Sequence, residues 1–503
     1  MASEALITDK TVTWGHLPVE IRLMILEALL QNGCSVASSA VVSREWQAVI
    51  EPYNFSQIYL TLSRLDGVDT MLRRNRALVK YIWFRIELES YGCWTCAPAV
   101  VDDWSISETD NTTIMMALEG LFLTLSAWPP GGDLVLDISV YSPSDSKHWF
   151  KYLTCEPDTP PSEYNQNRLL DQVARIKPDG HQHIWNTGNR DSVLHNNAID
   201  KLFEDIMAEG PFIDDEEEWE WFQQLPAVPA VTGFLLRQQT RRRWKPLALL
   251  EMFARFPRLR DIHLEPWREW ESDRHQEHTD KCYRALFKFL ASTNLRRLVL
   301  FENFNQIYPR SYPGCKPFRI PDRRCSKWIA IVSLQLDHLS ASFIVDASYF
   351  FDARKPSWEW PNLTSLALTS RLLTPDEGSS GIDSLLRAAA AAAMKMPKLQ
   401  IMEIWNGREG LAALFRYQVT GGRYPPVLTW KATWALTLQP SMVQLWEAAA
   451  SKHGGSRSIR VVHEVLPNNI IGSHGDALRI LEPLNTVIRP ISLQQIEIEH
   501  QFH

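Results

Sequence analysis

The residues that could do chemistry in this chain are few and scattered. Cys93-x-x-Cys96 has the spacing of half a zinc site or of a redox dithiol. A closed zinc site needs four ligands, and the next cysteine, Cys155, brings no second pair and no histidine pair at finger spacing. The two are expected to be thiols in a turn after a strand, and Cys315 and Cys325 are likewise unpaired by motif. His275 and His278 flank Gln276-Glu277 in a polar run, and His181 and His183 fall in a loop-like stretch, so all four are expected to be solvated. G-x-x-x-x-G-K-[ST], G-x-G-x-x-G, G-x-S-x-G and H-E-x-x-H are all absent, which lowers the expectation for the commonest nucleotide-binding and hydrolase designs. No catalytic residue, metal ligand or cofactor is assigned, and the chain is expected to be non-enzymatic. An enzyme built from scattered residues is the remote alternative.

Two charged runs could act by electrostatics instead. Asp214 to Glu218, with Glu220, interleave with Trp219 and Trp221, and Arg241, Arg242, Arg243 and Lys245 surround Trp244. The plain expectation is a solvated acidic loop and a basic helix edge. The sharper one is that the runs pair with each other, or that one grips a client of opposite charge.

Composition bounds what these residues can serve. A chain of 503 residues exceeds one ordinary core, so two or three domains are expected. Hydrophobic residues at 45% and charged residues at 22% are globular proportions. A formal net charge of −7 lacks the electrostatic footprint of a general nucleic-acid binder, and no nucleic-acid partner is expected. The 20 Trp, 20 Phe and 13 Tyr imply much aromatic surface in cores or interfaces. Seven irregularly spaced cysteines are not a disulfide framework. The start MASEALITDKTVTW lacks the regions of a secretory signal. No apolar run approaches the roughly 18 to 20 residues needed to span a bilayer. A protein of the cytoplasm and/or nucleus, without a membrane partner, is expected; RRRWK is too short and too aromatic to decide between the two compartments.

The N-terminal elements are the most informative. LPVEIRLMILEALLQNG has Pro18 where a first helical turn tolerates a missing N–H, Glu20 at the positive end of the dipole and Asn32-Gly33 as a C-terminal stop. Ile21, Met24, Ile25, Ala28 and Leu29 form one apolar stripe, and Val19, Leu23, Leu26 and Leu30 form another. A surface helix needs only one such face, so the second must be covered by the rest of the chain or by a partner. A small-residue segment, CSVASSAVV, leads to SREWQAVIEP, where Ser43 is a plausible N-cap, Trp46 and Val49 share a face, and Pro52 ends the run. Three short helices in so few residues bury little apolar surface, and such a module is marginal alone.

LPVEIRLMILEALL, a small-residue segment and VVSREWQAVIEPYNF in that order resemble the F-box, in the form it takes in large families from filamentous fungi. The resemblance covers roughly residues 15 to 60, with Leu17-Pro18, the Ile21/Ile25/Leu29 ladder and Val42-Ser43-Arg44 with Trp46 at the motif positions. It implies a three-helix module that packs against the small Skp-type adaptor of a cullin–RING (SCF-type) ubiquitin ligase, while the rest of the chain recruits a client protein. By carry-over, Leu17, Pro18, Ile21, Ile25, Val42 and Trp46 are the adaptor-contact candidates. The competing readings are a helical hairpin capping the next domain, or a scaffold that binds another helical partner outside any ligase.

Beyond residue 60 the expected fold class is α/β. FSQIYLTL, VKYIWFRIEL and DLVLDISVY alternate as strands, separated by the helical LDGVDTMLRRNRAL and TTIMMALEGLFLTLSAW, and parallel strands are expected. From 142 to 246, frequent Pro, Gly, Asn, Asp and Ser predict an irregular insertion, with a helix expected around Leu202 and Phe203. From 247 onward, helical stretches lead to L-x-x-Φ-x-Φ segments (Φ apolar) at Leu259/Ile262/Leu264, Leu295/Leu298/Leu300, Leu363/Leu366/Leu368 and Leu399/Met402/Ile404, with LQLDHLSA a looser case. This is the pattern of a leucine-rich-repeat-like array, degenerate because the starts are roughly 27 to 41 residues apart. A non-repetitive α/β domain is the alternative. The expected divisions are 12–60 for the F-box-like module, 61–141 for helix–strand units, 142–246 for the insertion and 247–503 for the array with C-terminal helices. The last section, with YPPVLTWKATWALTLQP and SMVQLWEAAASK, resembles an uncharacterised domain found downstream of F-box-like segments in fungal proteins. Positions flanking the apolar strand residues would face a concave surface, which makes His263, Trp267, Phe301, Glu403 and Trp405 the client-binding candidates. Core packing of the aromatics is the competing account.

Overall fold

The computed structural model describes residues 13–31, 36–92, 107–147, 150, 152–158, 196–207, 210–269, 273–311, 315–419, 424–453 and 458–501. Cys93, Cys96, His181 and His183 lie outside them. The described chain opens with helices α1 (Val19–Gln31) and α2 (Arg44–Asn54) and then alternates: β1 (Gln57–Thr61), α3 (Leu62–Leu72), β2 (Tyr81–Glu87), α4 (Glu108–Ser126), β3 (Leu134–Tyr141). Next come α5 (Asn196–Phe203), β4 (Asp205–Ile206), α6 (Asp215–Gln224), β5 (Val231–Leu236), β6 (Arg243–Trp244), α7 (Pro246–Ala254), β7 (Asp261–Leu264), α8 (Asp273–Leu290) and β8 (Arg297–Phe301). The chain continues through α9 (Arg323–Val332), β9 (His338–Ser342), α10 (Ala347–Asp352), β10 (Ser365–Thr369), α11 (Ser379–Ala393) and β11 (Ile401–Arg408). It ends with β12 (Leu411–Gln418), β13 (Val427–Ala432), α12 (Pro440–Lys452), β14 (Arg460–Val465), α13 (His474–Leu481) and α14 (Pro490–Gln501).

Twelve of these strands form one mixed sheet in chain order, β1-β2-β3-β5-β7-β8-β9-β10-β11-β12-β13-β14, with β4 and β6 paired separately. From β1 to β11 every neighbouring pair is parallel. The L-x-x-Φ-x-Φ segments, LQLDHLSA included, are five successive strands of this run, β7 to β11. Parallel pairing needs a crossover between strands, and the helical stretches supply it. The direction reverses at the β11–β12 hairpin, where Gly410 takes a left-handed φ of +69°, a conformation that costs glycine nothing.

Strand alternation divides the sheet into two unlike faces. Ile82 and Phe84, Leu136 and Ile138, Ile262 and Leu264, Leu298 and Leu300, Leu366 and Leu368, and Met402 and Ile404 enter one continuous core with α3, α4 and α6 through α12. The alanine tract of α11 lies in it, with Ala389, Ala390, Ala392 and Ala393 buried, so small side chains bring that helix close to the sheet.

The other face carries Asp137 and Ser139 on β3, His263 on β7, Ser340 and Ser342 on β9 and Glu403 on β11, all but His263 fully buried. It is covered by the chain's own C-terminal segment, whose α13 and α14 contribute Ala477, Leu478, Leu481 and Ile496 to a second apolar cluster with Phe301, Trp405, Ala412 and Leu414.

The 142–246 insertion differs from expectation. Residues 159–195 lie outside the described set, but β5 is a full member of the sheet between β3 and β7, and every one of its residues is buried. VTGFLL does not alternate because a strand covered on both faces has no polar side. The expected helix around Leu202 and Phe203 is present as α5. At the N-terminus Pro52 does not end α2 but sits inside its last turn.

Candidate docking surface

The first helix keeps most of its apolar surface in solvent. Of α1's residues only Leu26 is fully buried, and it shares the interior of the N-terminal module with Val36 and Ile50. Val19, Ile21, Leu23, Met24 and Ile25 are exposed, Met24 at 62%. Val41, 87% exposed, and Val42 extend the apolar surface on the turn ahead of α2. Monomeric soluble proteins rarely present so many neighbouring apolar side chains without a use.

The module is nonetheless held in place. Ser43 caps α2 by accepting from the Trp46 N–H at 3.3 Å. The Trp14 and Trp46 rings lie 5.3 Å apart, and Trp14 Nε1 donates to Glu45 at 3.1 Å while Arg22 pairs with the same carboxylate at 3.0 Å. Only Phe55 and Ser56 separate α2 from β1. Phe55 packs on the main core, and the Ser56 carbonyl accepts from Lys80 and Tyr81. The apolar surface is thereby joined to the sheet without a linker.

The six adaptor-contact candidates all fall in this module. Pro18, Ile21, Ile25 and Val42 are exposed, while Leu17 and Trp46 are half-buried. Sequence reasoning missed Val41 and left Val19, Leu23 and Met24 out of the candidates. The doubled apolar stripe of α1 was the signal that could have included the last three.

The five client-binding candidates share the second face of the sheet, but the exposure expected of them is corrected. Phe301, Glu403 and Trp405 are completely buried, Trp267 nearly so, and only His263 is half-buried. The physical reason is the C-terminal segment over Phe301, Glu403 and Trp405, and the rings of Phe203 and Tyr308 against Trp267, neither of which the strand pattern could anticipate. Glu403 accepts from Arg416 Nε at 2.7 Å and from the backbone N–H groups of Leu484 and Asn485 at 2.9 and 3.0 Å. His263 Nε2 lies 2.7 Å from Glu265, whose carboxylate also accepts from Arg489 N at 2.7 Å and Ser492 Oγ at 2.5 Å. Burial would raise the Glu265 pKa, but these hydrogen bonds and the His263 ring hold it below the usual carboxylate value. Trp267 Nε1 donates to the Gln238 carbonyl at 2.7 Å. Glu403 and Glu265 clamp the cover to the sheet.

The charged runs also resolve. Asp214 caps α6, accepting from Glu216 and Glu217 at 3.0 and 2.9 Å, so the acidic run is the first turn of a helix. It meets the basic run through Lys245 and Glu218 at 3.0 Å. Arg241 and Arg242 are buried and pair instead with Glu499 and Asp145, and Arg243 pairs with Asp205 and Glu269. His275 and His278 are exposed on α8. Among the described residues no group of three His, Cys, Asp or Glu side chains could hold a metal ion, and no helix is long and apolar enough to cross a membrane.

No curated protein matches the chain. Residues 290–489, from the end of α8 to the residue before α14 and less than half the chain, are similar to a family of unknown function, DUF6546.

Proposed function

We propose that the chain is a client-recruiting adaptor of an SCF-type ubiquitin ligase, seated on the small Skp-type subunit through α1 and the start of α2. The observation that carries this reading is the exposed apolar face of Ile21, Met24, Ile25, Val41 and Val42, on a module whose residue order resembles an F-box. A helix-in-groove contact would take such a face. The two-residue junction to β1 supports a rigid spacing between ligase and client. The remaining sheet, read as a leucine-rich-repeat-like array, would hold the client by surfaces other than the covered face. Cytoplasm and nucleus both suit this role.

Co-purification with the Skp-type subunit tests it, comparing the wild type with Ile21→Ser/Val42→Ser. Both positions are exposed, so the variant is expected to fold. Capture by the wild type and loss in the variant is the expected result. A wild type that captures nothing would overturn the ligase role and leave the apolar face to another helical partner.

A further inference from the structure

We infer that the cleft at the carboxyl ends of β8 to β11 binds a small organic anion with a flat apolar body, independently of the N-terminal docking surface. The space between its walls, together with the adjoining solvent, comes to about 590 Å³. The cleft is lined by residues at or beyond the ends of β8 to β11, by Arg268 beyond β7 and by the stretch ahead of α9. Loops held by a rigid scaffold are where binding residues concentrate.

Its apolar side is made by Phe304, Phe318 and Phe343. Phe304 lies 6.0 Å from Phe318 and 4.9 Å from Phe343, edge-on in both cases. Phe343 stands at a φ of +67°, an uncommon backbone state for a bulky residue, held by its N–H donating to Thr369 Oγ1 at 2.7 Å. That conformation keeps its ring among the aromatics at the cleft.

Four arginines face two carboxylates in the lining, Glu302 and Asp346. Both carboxylates are already committed. Glu302 contacts Arg319, and Asp346 accepts from the backbone N–H groups of Ser348 at 2.8 Å and Arg371 at 2.9 Å. Among the described residues Arg371 and Arg408 have no carboxylate partner. Arg371 lies 5.4 Å from the Tyr349 ring and donates to its hydroxyl at 2.6 Å, while Arg408 lies 4.8 Å from the Phe318 ring. Contact with a ring orients a guanidinium without neutralising it. Two oriented cations beside an aromatic wall suit a carboxylate or phosphate on a planar apolar body, since the guanidinium fork matches such oxygens and the rings take the flat face.

The test is titration calorimetry on the full chain with 1-naphthoate, the neutral 1-naphthalenemethanol and inorganic phosphate. The wild type is expected to bind naphthoate at least tenfold more tightly than either of the others. Arg371→Gln/Arg408→Gln should lose at least tenfold of that affinity while keeping the wild-type unfolding midpoint. The Ile21→Ser/Val42→Ser variant should bind naphthoate like the wild type. Absence of naphthoate binding, equal affinity for the alcohol or for phosphate, or undiminished binding by the arginine variant would each overturn the proposal. Loss in the N-terminal variant would assign the probe to that apolar face and overturn it as well.

Discussion

Arg241 Nη2 lies 2.5 Å from Glu499 Oε2, with both side chains 1% exposed, and this pair joins the loop after β5 to the last helix across 258 positions of sequence. The Arg241 guanidinium also sits 4.4 Å from the Trp267 ring, and Tyr308 donates to the same carboxylate. The C-terminal segment is thus fastened to the second face by buried polar contacts as much as by apolar ones.

Removing one partner of such a pair leaves an uncompensated buried charge, which costs about 3–5 kcal/mol. Glu499→Ala is expected to lower the denaturant midpoint accordingly, whereas Arg296→Ala, at a half-exposed pair with Asp337, should change stability by less than about 1 kcal/mol. Equal effects from the two substitutions would show that the cover is not held by the Arg241–Glu499 pair.

Acid should loosen the same segment in two stages. His474 is fully buried between Phe304, 4.3 Å away, and Asn303 Oδ1 at 2.8 Å. Burial first, and the neighbouring His500 second, push its pKa well below 6.5, against a smaller opposing effect of Glu499. The unfolded chain therefore takes up a proton that the folded chain refuses, so stability present above pH 6.5 falls as the pH drops below it. For Glu499, burial is outweighed by Arg241 and its hydrogen bonds, which hold the carboxyl at about 2 against an ordinary 4.5. Its contribution is present above 4.5 and is lost on going towards 2. Unfolding midpoints measured from pH 8 to pH 3 should decline in both windows, and His474→Phe should flatten the first.

Within the N-terminal module, adjacent residues should have opposite phenotypes. Leu26 is buried and Ile25 is exposed. Leu26→Ala is expected to destabilise the module by about 2–5 kcal/mol. Ile25→Ala should leave stability within about 0.5 kcal/mol while weakening the capture of a Skp-type subunit that the proposed function requires, where loss of a central anchor costs about 2 kcal/mol or more. Limited proteolysis around residue 31, together with the capture assay, separates the two effects.

Deleting the chain from Leu466 onward removes the cover from Phe301, Trp405, Ala412 and Leu414. The truncated protein is expected to bind an apolar fluorescent dye strongly and to aggregate at lower temperature. A truncation as soluble and as stable as the full chain would mean that the second face tolerates water, and would return the five covered residues to the list of accessible client contacts.

The sequence by itself determined the local elements: the capped helices, the alternating strands and the apolar run of α1 too wide for one buried face. Those follow from periodicity, caps and propensities within a dozen residues, and so does the face each strand residue occupies. VTGFLL escaped because a doubly covered strand has no alternation to detect. Tertiary structure alone decided which face stayed open. His263, Phe301, Glu403 and Trp405 lie on the face that alternation assigns them, but the cover over that face is fastened by hydrogen bonds from Leu484 and Asn485 to Glu403 and from Arg489 and Ser492 to Glu265, between residues 81 to 227 positions apart along the chain. Hydrogen bonds over such separations leave no periodic trace, because each needs only one polar residue at an unremarkable position. The cleft arginines were invisible for the same reason, since Arg371 and Arg408 come to line one cleft only where the ends of β10 and β11 are brought side by side.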